Sequence, residues 1–140
     1  WLLTMKKLPQ SMIQPRHAIL RGEPGNVALE VLLVPFRWKN EWVDTAIRLD
    51  GVNLPSAHLA DLADKTFSFP LNPDAEAIDG SIYLDSARHP FDVSLFEFMW
   101  CRNDGLKVLI KGVHVFEFEG LDQFGNTPFI LSTTVSSCAL

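Results

Sequence analysis

The chain has 140 residues, of which 47% are hydrophobic and 21% are charged, with 12 Lys and Arg against 17 Asp and Glu. This length is that of one domain with its own hydrophobic core, and we interpret residues 1–140 as a single domain. The apolar content is too high for intrinsic disorder and too dispersed for a membrane span. The net charge of −5 argues against a nucleic-acid partner, because phosphate contacts need clustered Lys and Arg.

The first residues lack the features of a secretory signal, which places its charges before a longer apolar stretch. Here Trp1-Leu2-Leu3 precedes Lys6 and Lys7. We therefore expect a cytoplasmic protein with a candidate natural start at Met5, although a signal removed before Trp1 would leave the same sequence.

The two cysteines, Cys101 and Cys138, permit one disulfide but make no framework. Cys101 lies in an apolar run, which favours a reduced, structural role for it. Whether the two cysteines pair is left open.

Turn-forming residues separate runs rich in Val, Ile, Leu and Phe, which is typical of an antiparallel all-β domain. The turn signals lie at 22–26, 50–51, 70–74, 79–80, 103–105 and 120–126. The predicted strands cover 18–21, 27–38, 44–50, 66–69, 81–85, 91–102, 106–119 and 128–135. The expected fold is all-β, or β-rich α+β: one antiparallel β-sandwich or strongly curved sheet with at most one or two short helices.

Two segments depart from the plain strand pattern. Pro35 falls inside the second predicted strand and predicts a bulge, a break or an edge position there. The segment 56–65 predicts a two-turn helix or helical loop, with Ser56 as N-cap and Leu59, Leu62 and Ala63 on one face.

One hairpin has a predicted register. Asp104-Gly105 favours a two-residue type I′ turn, in which Asn103 faces Leu106. One face of the hairpin is then core, and its members on the first strand are Phe91, Val93, Leu95, Met99 and Cys101. The core histidine His114 and two further residues, Ile110 and Val108, lie opposite.

The other face of this hairpin carries Phe96, Phe98 and Trp100 and is also apolar. A half-solvated strand would alternate apolar with polar residues. Either a second layer buries this face, which we favour, or it forms an exposed recognition or dimer surface. The register also sets Asp92 against Glu117, a repulsion that a bulge before that point or separation of the strands would remove.

The sequence contains no catalytic or metal-binding signature. The four histidines are far apart, and neither HExxH, GxSxG, a P-loop nor a dinucleotide fingerprint occurs. We expect no catalytic residue, no metal and no cofactor.

The densest polar group surrounds His89, with Asp85, Arg88 and Asp92 beside it. A histidine between carboxylates can serve as a general base or metal ligand, but an ordinary polar loop between strands is favoured. Trp38 and Trp42 are either a surface pair for binding or, as we favour, two rings that close a hairpin.

The acidic charge is regional. Residues 1–70 carry eight Lys and Arg against seven Asp and Glu, whereas residues 71–140 carry four against ten. An acidic surface would steer the domain toward a basic partner, and the alternative is that these charges confer only solubility.

The stretch Asp79-Gly80-Ser81-Ile82-Tyr83-Leu84-Asp85-Ser86-Ala87-Arg88-His89-Pro90-Phe91-Asp92-Val93 resembles small bacterial immunity proteins, which are encoded beside secreted antibacterial toxins. The small size, acidic balance, β-rich pattern and the later Phe116-Glu117-Phe118-Glu119-Gly120 agree with this resemblance. It implies a non-catalytic inhibitor that binds a cognate toxin, and it carries over no individual functional residue.

The function we expect is therefore protein binding, as an immunity protein that neutralises a toxin, with no nucleic-acid or membrane partner. Two alternatives are an assembly subunit that dimerises through the apolar hairpin face and a ligand-binding or hydrolytic β-barrel with a polar-lined interior. The expected contact residues are Asp85, Arg88, His89 and Asp92, together with Phe96, Phe98 and Trp100 if their face is exposed.

Overall fold

The computed structural model describes residues 13–38, 40–69, 78–84, 87–103, 105–114 and 127–137. This part of the chain forms ten strands and one short helix, which confirms the predicted all-β class. The strands are β1 Pro15–Glu23, β2 Asn26–Leu33, β3 Phe36–Trp38, β4 Glu41–Val43, β5 Ala46–Val52, β6 Thr66–Ser68, β7 Asp79–Leu84, β8 Ala87–Cys101, β9 Gly105–His114 and β10 Thr127–Ser137, and the helix α1 is Leu59–Leu62.

Seven of the strands form a closed ring. The order β8-β7-β5-β2-β1-β10-β9 returns to its start because β9 also pairs with β8, while β6 adds to the side of β8. The sheet is strongly curved, as predicted, and its curvature is large enough that its two ends pair with each other. One pair departs from the predicted antiparallel pattern, since β1 and β10, the first and last strands described, run parallel.

The interior of the ring is apolar. Along β2, Val27, Leu29, Val31 and Leu33 are buried and alternate with more exposed residues, as the period of two along a strand requires. The other strands of the ring contribute similar residues to the same core. Among the described residues, the buried polar side chains are Ser56, Ser81 and Thr133.

The predicted turn at residues 22–26 connects β1 and β2, whose last pair is Glu23 with Asn26. The turns predicted at 50–51 and 79–80 are wrong. Gly51 lies inside β5 with φ of 67°, where Asp50 and Gly51 together oppose one residue of β2. This is a β-bulge: the glycine has the positive φ that is also common in turns, but the strand continues beyond it. Gly80 is paired inside β7.

The β8–β9 hairpin exists, but its predicted register is wrong by three residues. Cys101 pairs with Gly105, and Trp100 pairs with Leu106. The connection is therefore one residue longer than the predicted two-residue turn, and Gly105 adopts φ of 77° where β9 begins.

A β-bulge between Val93 and Leu95 changes which side of β8 faces the core. Before it, Phe91 and Val93 are buried as predicted. After it, Phe96 and Phe98 are buried, whereas the predicted core residues Leu95, Met99 and Cys101 are only partly covered. Asp92 pairs with Val113. The like-charge pairing with Glu117 therefore does not occur, and Glu117 lies outside the described residues.

The predicted interruption at Pro35 is confirmed, because β2 ends at Leu33 and β3 begins at Phe36. The helix is shorter than predicted: α1 is one turn, and its N-cap is His58 rather than Ser56. Ser56 is buried just before it, where its hydroxyl accepts from the His58 N–H (3.0 Å) and donates to the Asp61 carboxylate (2.7 Å).

Candidate interaction site

The polar stretch expected to form a loop is part of a strand. Arg88 pairs with Tyr83 and His89 with Ile82 in the β7–β8 ladder, so the prediction of a loop is corrected for residues 87–92, the part of this stretch that the structure describes. Asp85 and the side chains of Arg88 and His89 lie outside what the structure describes. Positions 89 and 92 are three apart in one strand and belong to opposite faces, which gives no support to a joint catalytic or metal role.

The apolar candidates on β8 divide into two groups. Phe96 and Phe98 have no exposed surface, so the condition for their role in contact fails. They pack edge-on with Phe69 and Phe67, at ring-centroid distances of 5.8 and 6.0 Å. Trp100, two residues after Phe98 and next to the end of β8, is 61% exposed. Phe96 and Phe98 are buried because the β-bulge before them turns their side chains toward the core.

Among the described residues, the most exposed aromatic side chain is that of Trp42, on the short β3–β4 hairpin. Phe36 and Trp38 anchor this hairpin, since both are 8% exposed and belong to the main core. The alternation Phe36-Arg37-Trp38 puts Arg37 on the opposite side, toward solvent. The rings of Trp38 and Trp42 therefore do not close the hairpin together, which corrects the interpretation favoured from the sequence.

Arg37 and Trp42 form a pair on the outer side of this hairpin. They are directly opposite each other in the ladder, and the Arg37 guanidinium carbon lies 5.6 Å from the centroid of the Trp42 ring. Arg37 also donates to the Asn40 carbonyl at 3.4 Å, close to the turn where Asn40 has φ of 66°. Trp42 is nevertheless 69% exposed.

The electrostatics of this pair differ from those of Arg21 and Arg48. Among the described residues, the ion pairs join Glu30 to Arg21 (3.5 Å) and to Arg48 (3.2 Å). Arg37 has no carboxylate partner in this part of the chain. A guanidinium held over an indole ring keeps donors available for a planar acceptor such as a carboxylate.

The hairpin continues into further exposed apolar surface. Val34 is 40% exposed, and Pro35 next to it is exposed as well. The Val34 N–H donates to the Gln14 carbonyl (2.7 Å), and the Leu33 N–H donates to the Thr45 carbonyl (3.2 Å). These bonds hold both ends of the hairpin on the ring, so the outer face is presented by a fixed scaffold.

The described residues contain no candidate metal site. No group of three or more His, Cys, Asp or Glu lies close enough there to hold a metal ion. Cys101 is a free thiol. The helix α1 is far too short to cross a membrane, and no other helix of the described chain is long and apolar enough.

Most of the predicted acidic surface falls outside the described residues. Of the ten acidic residues in the second half, Asp79, Asp92 and Glu97 are in the described ranges. The regional acidity therefore stays a prediction from the sequence.

Sequence reasoning singled out Trp42 but not Arg37. Arg37 could have been found from the alternation Phe36-Arg37-Trp38 after Pro35. In a short hairpin this pattern places the arginine on the face opposite the two aromatic residues. Comparison with family models, curated proteins and solved structures finds no match to this chain.

Proposed function

We propose that this chain is a protein-binding domain that docks its partner on the outer face of the β3–β4 hairpin. The observation that carries the proposal is the pair of Arg37 and Trp42, stacked on each other and exposed, on a hairpin whose other side is anchored in the core. Tryptophan and arginine are the residues that most often dominate binding energy in protein interfaces.

Rigidity strengthens this proposal. Association costs about 0.5–1.5 kcal/mol for each flexible side chain that becomes ordered. The Arg37 side chain is already oriented by the Trp42 ring and the Asn40 carbonyl, which lowers that cost. The hairpin alone is smaller than the roughly 800 Å² that a standard interface covers on each partner, so Val34 and Pro35 extend the proposed surface.

The specific form of the proposal is an immunity protein that binds and neutralises a bacterial toxin in the cytoplasm. It rests on the resemblance of residues 79–93 to such proteins and on the regional acidity. A binding role on a closed, apolar-filled scaffold agrees with it, because the buried residues of the described chain are almost all apolar, with Ser56, Ser81 and Thr133 as the buried polar side chains.

The alternative of a homodimer through the apolar face of β8 requires Phe96 and Phe98 to be exposed, and both are fully buried. A solution mass measurement over a range of concentrations checks this. We expect no concentration-independent dimer.

The test compares two exposed tryptophans on different strands, Trp42 on β4 and Trp100 on β8. The chain is co-expressed with the toxin encoded beside its gene, and survival and affinity are measured for Trp42→Ala and for Trp100→Ala. We expect Trp42→Ala to weaken binding by about 30-fold, equivalent to about 2 kcal/mol, because it removes both the anchor and the support of Arg37. Trp100→Ala is the matched control, 61% against 69% exposed, and should bind like wild type.

Both variants should keep the wild-type unfolding midpoint, since neither ring is buried. The proposed docking surface is wrong if the two variants bind equally well. The immunity role is wrong if the wild-type chain fails to protect cells from the neighbouring toxin.

A further inference from the structure

A second group of polar side chains lies on the outside of the ring, where β1 pairs with β10. His17 of β1 is held between two hydroxyls of β10: its Nδ1 lies 2.8 Å from the Thr134 Oγ1, and its Nε2 lies 2.8 Å from the Ser136 Oγ. All three side chains are half-buried. They meet because Ala18 and Val135 pair in the parallel ladder, which brings together residues more than a hundred positions apart.

The geometry points to a reactive serine: we propose that Ser136 is a nucleophile that accepts an acyl group from an activated ester, with His17 as its general base. A serine needs an adjacent base within hydrogen-bond distance, and that base needs a third group to orient it. Ser136, His17 and Thr134 supply these three parts in that order. Thr134 is a positioning residue, because it touches only the imidazole.

The proposed role requires the tautomer of His17 that carries its proton on Nδ1, and both hydroxyl partners are compatible with it. When Nδ1–H donates to the Thr134 Oγ1, the Nε2 lone pair accepts the Ser136 hydroxyl proton. As the Ser136 Oγ forms its bond to the ester carbonyl carbon, the hydroxyl proton passes to Nε2. When the tetrahedral intermediate collapses, the bond from carbon to the leaving oxygen breaks and His17 returns the proton to the leaving group. The products are acyl-Ser136 and the free alcohol or phenol.

The competing interpretation is structural. The same two hydrogen bonds join β1 to β10 across the one parallel pair of the ring, and they stabilise that pair whether or not Ser136 is reactive. The two interpretations differ in one measurable respect. A purely structural hydroxyl reacts no faster than an ordinary exposed serine on the same strand.

Ser132 provides that comparison. It lies on β10, is exposed, and pairs with Leu109. The intact chain is incubated with p-nitrophenyl acetate and quenched in acid, and acetylation of each serine is mapped by mass spectrometry alongside p-nitrophenolate release. We expect acetylation of Ser136 to exceed that of Ser132 by about 100-fold or more, the usual contribution of a positioned base.

Variants assign the roles. Ser136→Ala should abolish the rapid p-nitrophenolate release, whereas Ser132→Ala should leave it unchanged. His17→Gln should slow acetylation of Ser136 by about 100-fold, and Thr134→Val should slow it less, with circular dichroism confirming the fold. Equal acetylation of Ser132 and Ser136 in the wild-type chain overturns the proposal, and this comparison does not depend on any variant folding. The proposal is independent of the binding role of Arg37 and Trp42.

Discussion

Gly112 lies in β9 opposite Val93, where the wall of the ring leaves no space for a side chain. A Cβ atom added there would collide with the Asp92 carbonyl oxygen and lie 2.9 Å from two atoms of the Phe129 ring. The Asp92 oxygen is backbone and cannot rotate away. Close approach, rather than an unusual φ, is thus what requires glycine at this position.

We predict that Gly112→Ala lowers the free energy of unfolding by about 3 kcal/mol, the upper range for overpacking in a closed core. Gly105→Ala is the control: its Cβ would meet nothing within 4 Å, and only the positive φ of 77° costs energy. That cost is about 1–2 kcal/mol. Urea unfolding of both variants checks the order, and a smaller loss for Gly112→Ala than for Gly105→Ala would contradict it.

At the residue scale, the sequence could not separate Trp42 from Trp38, or Trp100 from Phe98. Each member of these pairs has the same apolar character as the other. Trp38 pairs with Glu41, which places Trp42 on the other face of the hairpin. Phe98 and Trp100 lie on one face of β8, yet Phe98 is 0% and Trp100 is 61% exposed.

Among the strands and the helix, some sequence predictions agree with the structure and others do not. The break at Pro35 follows from its missing N–H and appears as predicted. The helix after Ser56 does not extend to the predicted two turns, because Ala63 leaves the helical conformation with ψ of 133° and Asp64 adopts φ of 60°. The Asp64 carboxylate instead accepts from the Trp100 N–H at 3.2 Å, which connects this segment to β8.

The hydrogen bond between Ser56 and Asp61 contributes to the stability of α1. The Ser56 hydroxyl is buried and links the His58 N–H to the Asp61 carboxylate, so it stabilises the start of α1 from outside the helix. We predict that Ser56→Ala lowers the free energy of unfolding by about 1–2 kcal/mol. A double-mutant cycle with Asp61→Ala should give a coupling energy of about 1 kcal/mol.

His58→Ala is the control for that cycle, because the His58 side chain makes no capping hydrogen bond. It should change stability by less than about 0.5 kcal/mol. Additive effects of Ser56→Ala and Asp61→Ala would show that the 2.7 Å hydrogen bond between them adds nothing.

For the whole molecule, the parallel pair of β1 and β10 completes the ring. Val135 is 5% exposed and pairs with Ala18 on the inner side of this contact. Opening the ring at this pair would expose the apolar interior to water from one side, so the loss cannot be confined to the last strand. The ring should therefore unfold as one cooperative unit.

We predict that Val135→Asp lowers the free energy of unfolding by about 3 kcal/mol or more, because it buries a charge without a partner. Hydrogen exchange should show equal loss of protection in β5, which does not pair with β10. Ser132→Asp, exposed on the same strand, is the control and should cost less than about 0.5 kcal/mol. Retained protection in β5 alongside loss in β10 would contradict cooperative closure.

The sequence by itself determined the properties that depend on near neighbours along the chain. Alternation and turn residues predict the all-β class, most strands and the break at Pro35, because each arises within a few residues. Only the tertiary structure decided the rest. The bulges at Gly51 and beyond Val93 depend on the partner strand, and the second of them turns Phe96 and Phe98 into the core. Likewise, His17 meets Ser136 only because the ring closes between its first and last strands, a contact that no local pattern records.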